Sequence, residues 1–446
     1  MAATSRDKPL RIAYFTFSYA PFMTGVAVGS HTRIRRLLER GHEVFLIHPE
    51  VNEHFPSEFL NRQMPGLEEL VEFPGFTSAT YPTLPHPFQK SHPEPCSWKH
   101  WSDTQLLEQF QPDITLISGA AAMKGMTSLG LGGYGKPIGV EYGQRAGVPT
   151  VVIFETYMFS YAELRFGRPA GRLARPLLRY LLTRFSDAYT TTFFPSKVQQ
   201  ERYRNLGIPK SEHVAFHGTD SDTYCQENIA YDPLPNDKRP MALYVARLTP
   251  EKNLPTLFRA FQIVHQKVPN THLVVVGGGE ELENVRKLAR PFGNSVTVWG
   301  ESFGNELKGL YARADVFANP SITENFCTTN MEALASGTPI VAANAGGNSE
   351  QITDGINGFL SRPNDPRDMA DKIVRILQDE TLREELSRGA RKSGMELDTW
   401  HAAGRLESAM WQLIDEASGK TSLRAAAKEE IPSRRVTGSV ATSAGR

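Results

Sequence analysis

Apolar runs of four to seven residues alternate with longer amphipathic stretches along most of the chain, and the same alternation occurs in both halves. Arg11–Phe17 is a nearly unbroken apolar run, followed by a loop bearing Gly25, a helical stretch through Arg40 and a second run, Val44–Ile47. Short apolar runs of this kind fit strands buried on both faces, and the strand–helix–strand order predicts a parallel sheet. Similar runs at Ile114–Ile117, Val151–Phe154 and Ala188–Thr191 extend the pattern, so residues 8–228 read as one Rossmann-like unit.

Asp232–Pro240 is polar and proline-rich, the composition of a linker, placed here at 229–240. Beyond it Ala242–Val245, Leu273–Val276, Val296–Val298, Val316–Ala318 and Ile340–Ala342 alternate with helical stretches, giving a second unit over 241–394. The expected fold class is therefore α/β, with two doubly wound domains and a cleft between them. From 395 to 418 an amphipathic helix carries Leu397, Trp400, Met410, Trp411 and Leu413. The tail, 419–446, lacks an apolar pattern and is expected to be disordered. Residues 51–101 are rich in proline and histidine with little periodicity, and read as a variable, acceptor-side segment.

A length of 446 residues fits two domains. Forty-nine basic and 49 acidic residues cancel, which argues against a nucleic-acid binder that relies on overall basicity. Cys96, Cys225 and Cys327 lie far apart with no CxxC spacing, so neither a disulfide framework nor a structural zinc site is expected. The first ten residues have no apolar core, and no segment approaches the ~20 apolar residues that span a bilayer. A soluble cytoplasmic protein is expected, touching membranes peripherally at most.

Candidate chemistry concentrates in Asn319–Ala342. Glu324 falls on a loop and Glu332, eight positions later, inside a helix that begins near Thr328 and breaks at Gly337-Thr338-Pro339. The start of that helix would direct unpaired N–H groups and a positive dipole end at the loop, which suits a diphosphate. Arg247 ends one strand and Lys252 opens the next helix, so both can project into the crevice beyond the strand ends as fixed cations. A pair of solvated surface charges is the plainer alternative. Gly25 would let backbone approach a phosphate, while Gly277–Gly279 and Gly300 mark tight turns that could border a base. Asp220-Ser221-Asp222 has a DxD metal-binding spacing, but the two cations make a metal unnecessary; no P-loop is present.

The Glu-x7-Glu spacing of Glu324 and Glu332 resembles the signature of the retaining glycosyltransferases of family 4. Ala246–Asn253, Arg40-Gly41-His42-Glu43-Val44, Ala345–Asn348 and Asp354–Leu360 resemble other parts of that family's pattern, nearest the sulfoquinovosyltransferase branch. The resemblance spans about Arg11 to Ser418 and implies the two-domain GT-B architecture, with the C-terminal helix crossing back onto the first domain. It further implies retaining transfer of a hexosyl group from a nucleoside-diphosphate sugar, UDP favoured, to a hydroxyl of a lipid or small molecule, without cofactor or metal. In that scheme Arg247 and Lys252 hold the diphosphate, Glu332 the ribose and Glu324 the sugar hydroxyls. Backbone groups of Asn325, Phe326, Cys327 and Thr328 complete the donor site.

Three departures from the family stand out. Thr24 fills the place of one of two usual glycines, Cys327 replaces a glycine, and Glu155 stands where a histidine contacts the sugar. Glu155 could stabilise an oxocarbenium-like state, activate an acceptor hydroxyl, or be purely structural. Arg165, Arg168, Arg172, Arg175, Arg179 and Arg184 punctuate an apolar stretch that could meet anionic lipid or present a solvated basic face. Gly119–Gly147 is glycine-rich and could shape an acceptor pocket. An epimerase or phosphorylase shares the expected architecture, and a catalytically silent sugar-nucleotide binding module is a further alternative.

Overall fold

The computed structural model describes residues 8–20, 25–50, 55, 67–86, 89–95, 104–118, 138–155, single positions between 176 and 186, 188–208 and 210–419. Two sheets of parallel strands, one of seven and one of six, carry helices between successive strands. The chain is an α/β protein with two doubly wound units.

In chain order the first unit has β1 (Arg11–Phe15), α1 (Gly25–Glu39), β2 (Glu43–Pro49) and β3 (Phe76–Tyr81). A separate antiparallel pair follows, β4 (Thr83–His86) with β5 (Gln89–Pro95), and then β6 (Ile114–Ser118), β7 (Thr150–Ile153), β8 (Thr191–Phe194) and β9 (Ser211–His213). The sheet order is β3-β2-β1-β6-β7-β8-β9, so the order reverses between β1 and β6. Gly41 ends α1 in a left-handed conformation (φ 87°), with its N–H on Leu38 O and the His42 N–H on Leu37 O.

The second unit has β10 (Met241–Val245), α2 (Leu254–Lys267), β11 (His272–Val276), β12 (Val296–Gly300), β13 (Val316–Asn319), α3 (Thr328–Ala335), β14 (Ile340–Ala343), α4 (Asn348–Gln351) and β15 (Gly358–Ser361). Its order, β12-β11-β10-β13-β14-β15, reverses between β10 and β13. Buried strands alternate their side chains between two layers. Ala242 and Tyr244 of β10 enter one core, while Met241, Leu243 and Val245 enter the other. Ligands of open α/β sheets sit beyond the carboxyl ends of strands at such reversals. Here those ends are Val245, leading to Arg247, and Asn319, leading to Glu324.

Helices α5 (Glu380–Glu396) and α6 (Thr399–Ala417) close the described chain. The single helix expected over 395–418 is broken at Leu397-Asp398: the Asp398 carboxylate caps α6 by accepting the Trp400 N–H at 2.7 Å, and its own backbone is extended. Leu406, Met410, Trp411 and Leu413 of α6 pack with Ile12, Tyr14, Ile34 and Leu37 of the first unit. Arg40 Nε donates to Glu407 at 2.6 Å along the same contact. A second link between the units runs through Glu350, whose carboxylate accepts the Lys197 and Val198 N–H groups at 2.9 and 2.8 Å.

β8 begins at Thr191, where the run expected as a strand at Ala188–Thr191 ends; Ala188–Thr190 form a turn. β3 lies within the segment read as unpatterned, because FTSATY is an edge strand with little apolar character. Thr24, Cys96, Arg165, Arg168, Arg172, Arg175, Arg184, residues 119–137 and residues 420–446 lie outside the described residues. Among the described residues, no helix is long and apolar enough to cross a membrane.

Candidate active site

The loop between β13 and α3 is held from beneath by a network of buried amides. Asn319 Nδ2 donates to Asn330 Oδ1 at 2.9 Å; Asn330 Nδ2 donates to Asn348 Oδ1 and Gln351 Oε1, both at 3.0 Å. Asn348 Nδ2 reaches Ser321 O at 3.0 Å, and Gln351 Nε2 reaches Cys327 O at 2.9 Å. Both ends of the loop are therefore fixed by side chains that are themselves hydrogen-bonded and buried. From above, the loop meets Gly346 and Gly347. A Cβ on Gly347 would stand 2.0 Å from Asn325 O, and the Gly347 N–H donates to Glu324 O at 2.8 Å, so the close approach needs a glycine.

That support brings Glu324 to Lys252. Lys252 Nζ donates to Glu324 Oε1 at 2.5 Å, with both side chains mostly buried. Burial pulls the Lys252 ammonium down, but Glu324 outweighs it and the group ends above its ordinary value. Arg247 is exposed and has no hydrogen-bond or ion-pair partner for its side chain among the described residues. Its charge acts on Lys252, lowering that group's pKa. One cation is thus paired and one is unpaired, side by side at the β10/β13 reversal.

Glu332 lies on α3 and accepts the Tyr311 hydroxyl at 2.7 Å, with the Tyr224 hydroxyl as a second donor. Burial pushes its pKa up to about 7, and the two tyrosines offset part of that rise. Cys327 caps the start of α3, and its N–H is engaged by Gln351 Oε1 at 3.2 Å. That N–H, expected to serve a ligand, is spent within the protein. Burial pushes the Cys327 thiol up to about 11, which disfavours the thiolate.

Gly277, Gly278 and Gly300 knit the turns after β10, β11 and β12 together. Leu248 N–H donates to Gly278 O at 2.8 Å and Gly277 N–H to Gly300 O at 2.7 Å. A Cβ on Gly277 would approach Ala246 O to 1.8 Å, so this glycine serves the turn that carries Arg247. Gly25 opens α1, and a Cβ there would meet nothing within 4 Å. Among the described residues, no contact demands a glycine at that point.

From the first unit, Glu155 follows β7 and is buried against Arg33 of α1, Nη2 to Oε1 at 2.6 Å. Arg33 Nε donates to the Tyr14 hydroxyl at 3.2 Å, and His217 Nε2 lies 3.7 Å from the same Glu155 oxygen. Burial pushes Glu155 above the usual carboxylate range against the pull of Arg33, and holds the His217 imidazole neutral with a pKa of about 3. Asn325 Nδ2 donates to Glu155 O at 3.3 Å, joining this cluster to the Glu324 loop. Arg33 and His217 carry no motif and were invisible without the fold.

Asp220 of the DxD spacing accepts Arg36 Nη2 at 3.1 Å and the Thr223 N–H at 3.0 Å, and Ser221 is bound by Asp398. Among the described residues, no group of three or more acidic, His or Cys side chains is arranged to hold a metal. Cys225 and Cys327 are both free and buried.

A doubly wound pair of sheets with cations and carboxylates at a strand-order reversal is the layout of a GT-B glycosyltransferase. Residues 226–393 match the family model for glycosyl transferases group 1, and residues 23–223 match that for glycosyltransferase family 4. The chain belongs to this family of glycosyltransferases. It is 28% identical over 418 residues to the sulfoquinovosyl transferase of Arabidopsis thaliana, covering 90% of this chain and 72% of that one. It is also 28% identical over 357 residues to a GDP-mannose-dependent alpha-mannosyltransferase of Mycobacterium tuberculosis, covering 79% and 83% of the two chains. Among solved structures, Anabaena HepE in complex with UDP and glucose superposes with a TM-score of 0.62 at 16% identity, covering 90% of this chain and 99% of that one. Sucrose-phosphate synthase from Thermosynechococcus elongatus gives 0.65 at 16% identity, over 91% and 99%. These two structural likenesses bear on the fold.

Proposed function

We propose that the protein transfers a hexosyl group, with retention and without a metal, from a nucleoside-diphosphate sugar to a hydroxyl of a lipid or small-molecule acceptor. A UDP-sugar is the favoured donor. The observation that carries the reading is the Lys252–Glu324 pair beside unpaired Arg247 at the start of α3. Leaving-group departure leaves negative charge on the diphosphate, and fixed cations that need no reorganisation stabilise it. Arg247 bridges two phosphate oxygens, Lys252 contributes a point charge, and α3 adds its positive end.

Glu324 takes the hydroxyls of the transferred sugar, and Glu332 those of the ribose. Asn325, Phe326 and Thr328 offer backbone N–H groups, while Gly25 lets the first unit approach the donor and Gly300 borders the base. Glu155 lies toward the sugar at the reacting carbon. Front-face attack, with the leaving phosphate receiving the acceptor's proton, accounts for retention without a carboxylate nucleophile. The protein would act in the cytoplasm, with at most peripheral membrane contact.

The test is incubation of the full chain with UDP-, GDP- and ADP-sugars, with and without lipid extract, followed by mass spectrometry of nucleotide and products. Acceptor-dependent release of the nucleoside diphosphate supports transfer. An isomerised donor, or binding without turnover, contradicts it.

A further inference from the structure

The helix Lys197–Arg204, which follows β8 in the first unit, caps itself only in part. Ser196, its N-cap, accepts the Gln199 N–H on its hydroxyl at 3.1 Å, which leaves the Lys197 and Val198 N–H groups to find acceptors outside the helix. Both find Glu350 of the second unit, Lys197 N–H on Oε2 at 2.9 Å and Val198 N–H on Oε1 at 2.8 Å. One carboxylate thus spans the seam and meets the positive end of the helix. The contact exists only while the two units stand together.

Glu350 sits on α4, and the same short helix holds the Glu324 loop. Asn348 and Gln351, three positions apart, share a face. Asn348 Nδ2 donates to Ser321 O at 3.0 Å, while Gln351 donates to Cys327 O at 2.9 Å and accepts the Cys327 N–H at 3.2 Å. The Glu350 N–H donates to Gly347 O at 3.1 Å, and the Gly347 N–H donates to Glu324 O at 2.8 Å. The residue that meets the first unit is therefore hydrogen-bonded through its own backbone to the turn that holds Glu324. Asn348 and Gln351 are buried, so α4 and the loop behave as one body.

We propose that Glu350 is a positioning residue: its contact with the Lys197 and Val198 N–H groups sets the placement of α4, and through α4 that of Glu324 and Asn325, when the two units close on a nucleotide sugar. This inference rests on the donor-transfer reading above and adds the contact that ties closure to the reacting site. Coupling of this kind is reciprocal, so whatever factor a bound nucleotide adds to the stability of the contact, the contact adds to nucleotide affinity. A carboxylate that merely capped a helix would affect neither the loop nor the nucleotide.

Amide hydrogen exchange on the full chain and on Glu350→Ala and Glu350→Gln, with and without UDP or GDP, tests this alongside calorimetric titration of both nucleotides. Without nucleotide, Glu350→Ala should speed exchange about tenfold at Lys197 and Val198 and, through α4, about threefold or more at Cys327 and Gly347. The nucleotide that binds should slow exchange at Lys197 and Val198 in the unaltered chain, and Glu350→Ala should weaken that nucleotide by a matching factor of about fivefold or more. Glu350→Gln keeps one of the two acceptor oxygens and should fall between. It also keeps the size of the side chain, so it carries the test should the alanine variant fold poorly. Faster exchange confined to Lys197 and Val198, or unchanged affinity for a nucleotide that does bind, overturns the inference. If neither UDP nor GDP binds the unaltered chain, the donor reading falls, while exchange at Cys327 and Gly347 in the variants still decides whether Glu350 governs the loop.

Discussion

Lys252 Nζ and Glu324 Oε1 are 2.5 Å apart, so one of the two cations expected at the phosphate and the carboxylate expected at the sugar form an ion pair. In the proposed reading the pair would be a junction, with the donor's phosphate presented to one partner and its sugar hydroxyls to the other. Breaking a largely buried pair from one side leaves an uncompensated charge. Lys252→Met and Glu324→Gln should each lower stability, and a double-mutant cycle by urea unfolding should give a coupling of about 1–3 kcal/mol. Lys252→Met should also cut turnover at least about a hundredfold, because it removes stabilisation of the departing diphosphate. Turnover within a few-fold of the unaltered enzyme would contradict that role.

Glu332 gives a pH signature. Its pKa is raised from 4.5 to about 7 in the folded chain. The native state therefore holds the proton more tightly than the unfolded chain does. The contribution to stability is complete below about pH 4.5 and is lost as pH rises through about 7, a swing of roughly 3 kcal/mol. Glu332→Gln should raise the melting temperature more at pH 8 than at pH 5, while weakening nucleotide binding. Thermal unfolding at the two pH values checks the first part, and an unchanged pH dependence in the variant would count against it.

Asn330 is the hub of the amide network beneath the Glu324 loop. Asn330→Ala would leave buried groups of Asn319, Asn348 and Gln351 short of partners, at a cost of about 2–4 kcal/mol. Turnover should fall with it, since the loop loses its lower support. Chemical unfolding with parallel rate measurements tests both, and loss of stability without loss of rate would show that the loop holds itself.

The proposed mechanism expects no metal at the DxD spacing. Asp220 is used in binding Arg36 and in the local turn. Treatment with a chelator and the Asp222→Ala substitution should both leave turnover within about twofold, as expected when fixed cations carry the phosphate charge. A requirement for added Mn²⁺ that disappears with Asp222→Ala would overturn the metal-free mechanism.

Much of this was legible in the chain because it depends on local pattern. Buried parallel strands announce themselves as apolar runs, and the loop-to-helix junction at Asn319–Ala335 shows in its turn and helix residues. What escaped depends on contacts distant in sequence. Arg33 meets Glu155 across 122 positions, and Asn325 meets Glu155 across 170. The pairing of Lys252 with Glu324 spans 72, so the sequence indicated two separate charges where the fold makes one unit. β3 was missed because an edge strand needs little apolar character, and the break before α6 because Leu397 keeps the helical periodicity while Asp398 caps a new helix.

The most direct measurement is titration of the unaltered chain and of the Arg247→Ala/Lys252→Ala double variant with UDP and GDP. The account predicts micromolar-range binding of at least one nucleoside diphosphate and a loss of about a hundredfold or more in the variant, with the variant's melting temperature showing that it is folded. Undiminished binding in a folded double variant would contradict the claim that these two side chains hold the departing diphosphate.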